Sequence, residues 1–295
     1  MEYHVPVLLN QVLELLSVES GRVYIDGTLG NGGHTLEILK NGGEVYGIDS
    51  DQSNLDLATT RITKAGFKDK FHPIKGNFAN LSQILKENIN TPISGLLLDL
   101  GLSSNQQKEP GRGFSFNDPQ SLDMRLDPTT QELTAEKIIN TYSFEQLFNI
   151  FSKIAQEKLS KPLAQRIITK RQSSPIKDGA TLAQVIRDAY KVKGIRTKID
   201  PSTKIFMALR IVVNQEFENL RHFLESSLDI PQLKNSTICI ISFHSGEDRI
   251  VKQFIREHHP NQITSTSSKA VTASHQETLS NPLSRSAVLR SYRIN

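Results

Sequence analysis

Apolar positions along this chain fall into two rhythms. Short strand-like runs at residues 23–26, 44–48, 71–75 and 93–99 alternate with helix-compatible stretches at 35–40, 53–64 and 81–88. Such alternation predicts a parallel sheet covered by helices on both faces. Residues 93–98 are almost continuously apolar, as expected of a central strand buried on both sides. After Asp99 the rhythm changes for about a hundred residues. An irregular segment rich in Gly and Pro, 101–128, leads into helical periodicity at 135–141, 145–154, 159–171 and 180–190, with no strand signal. Strand and helix then resume: one long amphipathic helix over 203–224, a strand at 236–242, a helix at 247–258 and a β-prone end at 287–294. Residues 264–280 are polar and loop-like. The pattern predicts one α/β domain interrupted by a helical insertion, with parts at 1–105, 106–201 and 202–295.

The first strand carries the most informative chemistry. Val23, Tyr24 and Ile25 end at a carboxylate, Asp26, which runs into a turn holding Gly27, Gly30, Gly32 and Gly33. Glycine takes φ > 0 readily and lets a ligand approach the backbone. The turn feeds a helix N-terminus, which places it at the carboxyl edge of the sheet, where cofactors of the nucleotide type bind. The second strand ends at Asp49, twenty-three residues after Asp26, where an acidic side chain can accept both hydroxyls of a ribose. A dinucleotide fingerprint fails, because its third glycine would fall at Thr35, and no Gly-Lys-Ser/Thr follows for a P-loop. What remains resembles the first motif of S-adenosylmethionine-dependent methyltransferases.

Composition narrows the class. No apolar run approaches the ~18 residues of a membrane span, and the N-terminus shows neither the charged region nor the cleavage site of a secretory signal. The single cysteine, Cys239, excludes an internal disulfide and a cysteine-based zinc cluster. A net charge of +4 conceals segregation: residues 153–198 hold twelve Lys and Arg against three acids. That local excess can be a solvated helix face, or the footprint of a surface that holds phosphates. Lys170 and Arg171 are candidate phosphate contacts within it.

At this point the motifs resemble a family. Blocks at His4-Val5-Pro6-Val7-Leu8, residues 26–34, Gly76-Asn77-Phe78, residues 97–104, residues 112–116, residues 122–127, Ala208-Leu209-Arg210-Ile211 and Ser242-Phe243-His244-Ser245 are similar to those of the bacterial ribosomal RNA small-subunit methyltransferase H (MraW) family. The resemblance covers nearly the whole chain. It implies a Rossmann-like class I S-adenosylmethionine-dependent methyltransferase sheet with an inserted helical, substrate-binding domain. The implied activity is methylation of the exocyclic N4 of a cytidine, position 1402 of 16S ribosomal RNA in the 30S subunit. The implied setting is the cytoplasm, with no membrane partner, and a homodimer is compatible with it. By the same resemblance Gly32, Gly33 and His34 line the methyl-donor site, Asp49 takes the ribose and Phe78 contacts the adenine. Asp99 and Gln106 would complete the pocket.

The amine on cytosine is conjugated with its ring and is a poor nucleophile, whereas a sulfonium donor is already activated and needs no metal. The protein can add alignment, which contributes ~7–11 kcal/mol, and acceptors for the amine hydrogens. Asp99 is the candidate acceptor, and His244 a second catalytic candidate that could instead cap the following helix. Asp248 could contact the base or its sugar. Asp99-Leu100-Gly101-Leu102 lacks the prolines and aromatic that many amino-methyltransferases place there, so Phe114, Phe116 and Phe243 are candidates for stacking on the base. The chain departs from the family at Gly246, where leucine is usual, at Pro162 inside a predicted helix, and at Leu283 in place of arginine. Proline inside a helix costs ~3 kcal/mol unless it lies near the start, so a helix is expected to restart there. Two other readings stay open on composition alone: a small-molecule or DNA amino-methyltransferase, and a cofactor-binding RNA assembly factor without catalysis.

Overall fold

The computed structural model describes residues 5–267 and 269–295; His4 lies outside them. Two compact units emerge, one formed by the chain up to Ser103 together with Phe217–Asn295, the other by Ser104–Glu216.

The first unit is built on a sheet. Its strands are β1 Val23–Asp26, β2 Glu44–Asp49, β3 Phe71–Lys75, β4 Gly95–Asp99, β5 Thr237–Ser242, β6 Ile263–Ser265, β7 Val271–Thr272 and β8 Val288–Ile294. They lie in the order β3-β2-β1-β4-β5-β8-β6, with β7 also pairing β8. The pairings β3-β2, β2-β1, β1-β4 and β4-β5 are parallel, while β8 runs antiparallel to β5, β6 and β7. Apolarity explains the centre: Leu96, Leu97 and Leu98 of β4 and all six residues of β5 are buried. Pro73 sits in β3, the edge strand, where a missing backbone N–H is tolerated. Strand order reverses between β1 and β4, and open α/β sheets bind ligands beyond the carboxyl ends at such a reversal.

The polar stretch 264–280 is not a loop throughout. It supplies β6 and β7 and the helix His275–Ser280, because pairing with β8 satisfies backbone groups that side-chain polarity says nothing about. The helix Leu9–Leu16 had no N-terminal sequence signal beyond apolar residues, since left-handed Leu8 precedes it and offers no side-chain cap; at its other end Ser17 Oγ donates to the Glu14 carbonyl at 3.1 Å.

The second unit is helical. Its elements are Ser104–Lys108, Ala135–Thr141, Phe144–Asn149, Ser160–Ser173, Gly179–Val192 and Ser202–Val213. Leu122, Ile138, Phe151, Leu163, Ile167, Ile186 and Leu209 form part of its core. The predicted helix 145–154 is α-helical only to Asn149 and continues as one wider π turn, Ile150–Ile154. Pro162 is the third residue of Ser160–Ser173, where its missing N–H would have no intrahelical partner, so the helix restarts there as expected.

The single helix expected over 203–224 is two helices, Ser202–Val213 and Glu216–Ser227, broken at Asn214 and Gln215. Asn214 is buried and binds across the unit: Nδ2 donates to the Met124 carbonyl at 2.8 Å, and Oδ1 accepts from Leu126 N at 2.9 Å. Gln215 then takes a positive φ of 51°. Helix Ser202–Val213 places Ile205, Phe206 and Leu209 in the helical core. The return to the sheet unit therefore falls at Phe217, later than the predicted 202, and the departure falls at Ser104.

Candidate active site

Three strands on either side of the reversal end in carboxylates: Asp26 on β1, Asp49 on β2 and Asp99 on β4. The glycine turn between β1 and helix Gly33–Lys40 needs its composition. Gly32 has φ +68°, and a Cβ there would stand 3.1 Å from Ala58 Cβ; one on Gly33 would meet Pro6 Cγ at 2.7 Å. Asp26 is buried, and its carboxylate accepts from Thr35 Oγ1 at 2.7 Å and from Thr28 N at 3.3 Å. Burial pushes its pKa up to about 6. The first-strand carboxylate thus ties the turn to the helix behind it.

Asp49 is half-buried and organises the turn from the other side. Its Oδ2 accepts from Gly30 N at 2.8 Å and Asn54 Nδ2 at 3.1 Å, and its Oδ1 accepts from Asp51 N at 2.8 Å. Burial pushes the group up to about 7, against the backbone donors Asp51 and Gly30. Oδ1 keeps capacity for one further donor.

Asp99 faces His34. The His34 ring is buried, and its Nε2–H donates to the Val7 carbonyl at 3.0 Å. Burial holds its pKa down to about 4, so the ring is neutral and Nδ1 is a lone pair. That lone pair lies 3.6 Å from Asp99 Oδ2. Asp99 Oδ1 is buried with no hydrogen-bond partner. Burial, reinforced by the charges of Asp26 and Glu247, pushes Asp99 up to about 8. A protonated Asp99 can donate toward His34; an ionised one presents an unsatisfied acceptor at the reversal point.

Phe78 stands beside the turn, partly exposed, its ring edge-on to Phe223 at 5.8 Å. It is both a wall of the core and an open face. Gln106 is buried on the short helix Ser104–Lys108 of the helical unit. His244 caps helix Ser245–His258: Nδ1 accepts from Gly246 N at 3.2 Å and lies 3.5 Å from Glu247 N. Its Nε2 lies 3.1 Å from Glu247 Oε1 without hydrogen-bond alignment. Both ring nitrogens therefore face their own helical turn, as a helix cap. Glu247 is the residue sequence reasoning missed. It is buried, accepts from Phe243 N at 2.9 Å and biases Asp99; its only signal was an acidic residue in the first turn of a helix.

Other candidates are committed elsewhere. Asp248 is held by Arg290 at 2.7 and 3.2 Å. Phe116 packs edge-on to Phe206 and Phe114 lies against the helical core. Phe243 sits 3.6 Å from where a Gly101 Cβ would stand, next to β4. Gly246 has a local reason as well: a Cβ there would stand 2.5 Å from Phe217 Cζ, and the Phe217 ring lies 5.5 Å from that of His244.

A sulfonium and ammonium donor fits these residues. Asp99 Oδ1 and Asn31 Oδ1 are buried acceptors without a partner, and a cationic, donor-rich ligand supplies what they lack. The parallel sheet, the glycine turn and the edge carboxylates define a Rossmann-like methyltransferase of class I. The chain belongs to the MraW methylase family, which it matches over residues 1–295, and its methyl donor is S-adenosylmethionine. It is 41% identical over 255 residues to the ribosomal RNA small subunit methyltransferase H of Desulfosudis oleivorans, covering 85% of this chain and 80% of that protein. Its identity to the protein of the same name from Carboxydothermus hydrogenoformans is 40% over 258 residues, covering 87% and 81%.

Proposed function

We propose that this enzyme methylates the exocyclic N4 of a cytidine in 16S ribosomal RNA of the 30S subunit, working in the cytoplasm. The names of its curated relatives support the ribosomal substrate. Among the described residues no helix is long and apolar enough to cross a membrane. The observation that carries the chemistry is the Asp99 carboxyl, an unsatisfied buried acceptor at the end of β4.

S-adenosylmethionine, when bound, supplies a methyl group already activated on a cationic sulfur. Gly32, Gly33 and His34 would line its site, Asp49 would take the ribose, Phe78 the adenine, and Asp99 would complete this side of the pocket. Asp99 accepts the hydrogens of the target amine and takes up its proton, while His34 and His244 hold neighbouring segments in place. Transfer to isolated 30S subunits, with N4-methylcytidine as product, is the expected result. Transfer to DNA alone, or none to any nucleic acid, would overturn the reading.

A pH dependence follows from Asp99. In the free enzyme its carboxyl, facing His34, Asp26 and Glu247, keeps its proton until about pH 8. A bound cation favours the ionised form, so binding expels a proton. Donor affinity should rise with pH toward 8, at most about tenfold per unit for one proton, and then level. Calorimetry in two buffers of different ionisation enthalpy would detect the released proton. A pH-independent affinity with buffer-independent heat would rule it out.

The basic stretch is the proposed RNA grip, and its cations differ in their partners. Arg187 pairs with Asp200 at 2.7 Å and Arg166 with Asp188 at 3.8 Å. Arg171 donates through one guanidinium nitrogen to the Ile139 carbonyl at 2.8 Å, which braces the helical unit. Lys153, Lys158, Lys161, Lys170 and Lys177 are exposed. Replacing Lys161 and Lys170 with alanine should weaken binding to 30S particles and flatten its salt dependence, by about 0.7–0.9 in slope for each phosphate no longer neutralised. Wild-type salt dependence in a filter-binding titration would exclude this pair.

A further inference from the structure

In the helical unit, the last two residues of helix Gly179–Val192 and the segment that joins it to helix Ser202–Val213 are exposed at every residue from Lys191 to Ile199. Three of these are large aliphatics: Val192 is 72% exposed, Ile195 44% and Ile199 59%. Elsewhere the flanking helices bury aliphatics such as Ile186 and Ile205. The three are therefore left outside the helical core. Between them stand Lys191, Lys193, Arg196 and Lys198, with no acid among the nine residues. None of the four cations has an ion-pair partner among the described residues. The acid that follows, Asp200, is engaged by Arg187 and by Ser202 N. Gly194, at φ +66°, turns the segment, with open space where a side chain would stand.

Exposed cations alone are explained by solvent, and a single exposed aliphatic needs no explanation. Three aliphatics interleaved with four unpaired cations are different, because each type lowers the solvation that would excuse the other. A second copy of the chain is a poor occupant, since a symmetric contact would set four cations against four. A polyanion with apolar faces matches both halves of the pattern. In paired RNA the bases are stacked and the aliphatics would meet only sugar and phosphate; unpaired bases are splayed and offer their faces.

We propose that residues 191–199 form a recognition loop for unpaired RNA, in which the Lys and Arg side chains hold phosphates while Val192, Ile195 and Ile199 pack against exposed base faces. This deepens the ribosomal RNA reading above and rests on it.

The test uses the full chain with two probes, an RNA hairpin with an unpaired cytidine-containing loop and a fully paired RNA duplex of equal length. The triple variant Val192→Asn, Ile195→Asn, Ile199→Asn alters only exposed positions, and an unchanged melting temperature verifies its fold. It should bind the hairpin about tenfold more weakly, with the slope of log affinity against log salt unchanged. Duplex binding and S-adenosylmethionine affinity should stay at wild-type values. With 30S subunits it should raise KM and leave kcat at saturation. A second variant, Lys193→Ala with Arg196→Ala, should flatten the salt slope on both probes. If wild type binds the hairpin and the triple variant binds it equally well, the loop is not an RNA reader. A variant that changes only self-association by sedimentation would also overturn the proposal, in favour of a protein interface. Wild type that binds neither probe nor 30S particles would instead sink the RNA reading beneath it.

Discussion

Asp99→Asn should lower the single-turnover methylation rate about 100- to 1000-fold, the ~2.7–4 kcal/mol typical of losing one aligned electrostatic group in a transition state. Asparagine keeps the size of the side chain, and its amide can donate to the His34 Nδ1 lone pair that Asp99 faces at 3.6 Å. The local packing therefore survives, while the ability to take up a proton is lost. RNA binding should remain close to wild type. Donor affinity must be measured beside the rate, because Asp99 would also touch the cofactor. A full rate at saturating donor and RNA would remove Asp99 from the chemistry. Stability gives an independent readout of the burial. A carboxyl whose folded pKa is raised to about 8 holds a proton that the unfolded chain has released. Its contribution is fully present below the unfolded value near 4 and is lost as pH rises to about 8. The asparagine variant should thus melt several degrees above wild type at pH 8 and converge with it at low pH.

Asp49→Ala should weaken S-adenosylmethionine binding by about ten- to a hundredfold, the loss of charge-assisted hydrogen bonds worth roughly 1.5–3 kcal/mol. The structure adds a second route to the same loss. The Asp49 carboxylate already accepts from Gly30 N and Asn54 Nδ2, so alanine also frees the turn that shapes the pocket. Asp49→Asn separates the two effects. Its amide oxygen can still accept from Gly30 N, but it brings no charge to a ribose, so its affinity should fall between wild type and alanine. Calorimetry on folded variants decides: unchanged affinity in the alanine variant would exclude Asp49 from the donor site.

The part of the site readable in the sequence was the part written in strand ends. Asp26, Asp49 and Asp99 each close an apolar run, and a parallel sheet brings such ends to one edge whatever else the chain does. The role of His34 in fixing Asp99 was not readable, because it depends on the Val7 carbonyl holding one tautomer. Glu247 was invisible for a similar reason, since its influence on Asp99 needs β4 and β5 to be neighbours. In the helical unit, periodicity found most helices but not the break at Asn214, whose partners Met124 and Leu126 lie some ninety positions earlier. Several family blocks turn out to be scaffolding. Arg125 chelates Asp123 and the Gln131 carbonyl, and Arg210 clasps Glu216 at 2.7 and 2.9 Å. Recognisable motifs thus marked the family more sharply than they marked the chemistry.

The placement of β5 between β4 and β8 has a consequence for synthesis of the chain. β4, with its three leucines, leaves the ribosome long before Thr237 of β5 is made. At about 5–20 residues per second the delay is on the order of ten seconds. Throughout it the nascent sheet exposes an unpaired, largely apolar edge of the kind that recruits other strands. The helical unit, made entirely from residues synthesised in that interval, has time to fold while this edge waits. Slowed translation across the helical segment would lengthen the vulnerable period and should lower soluble yield, whereas co-expressed holdase chaperones should restore it.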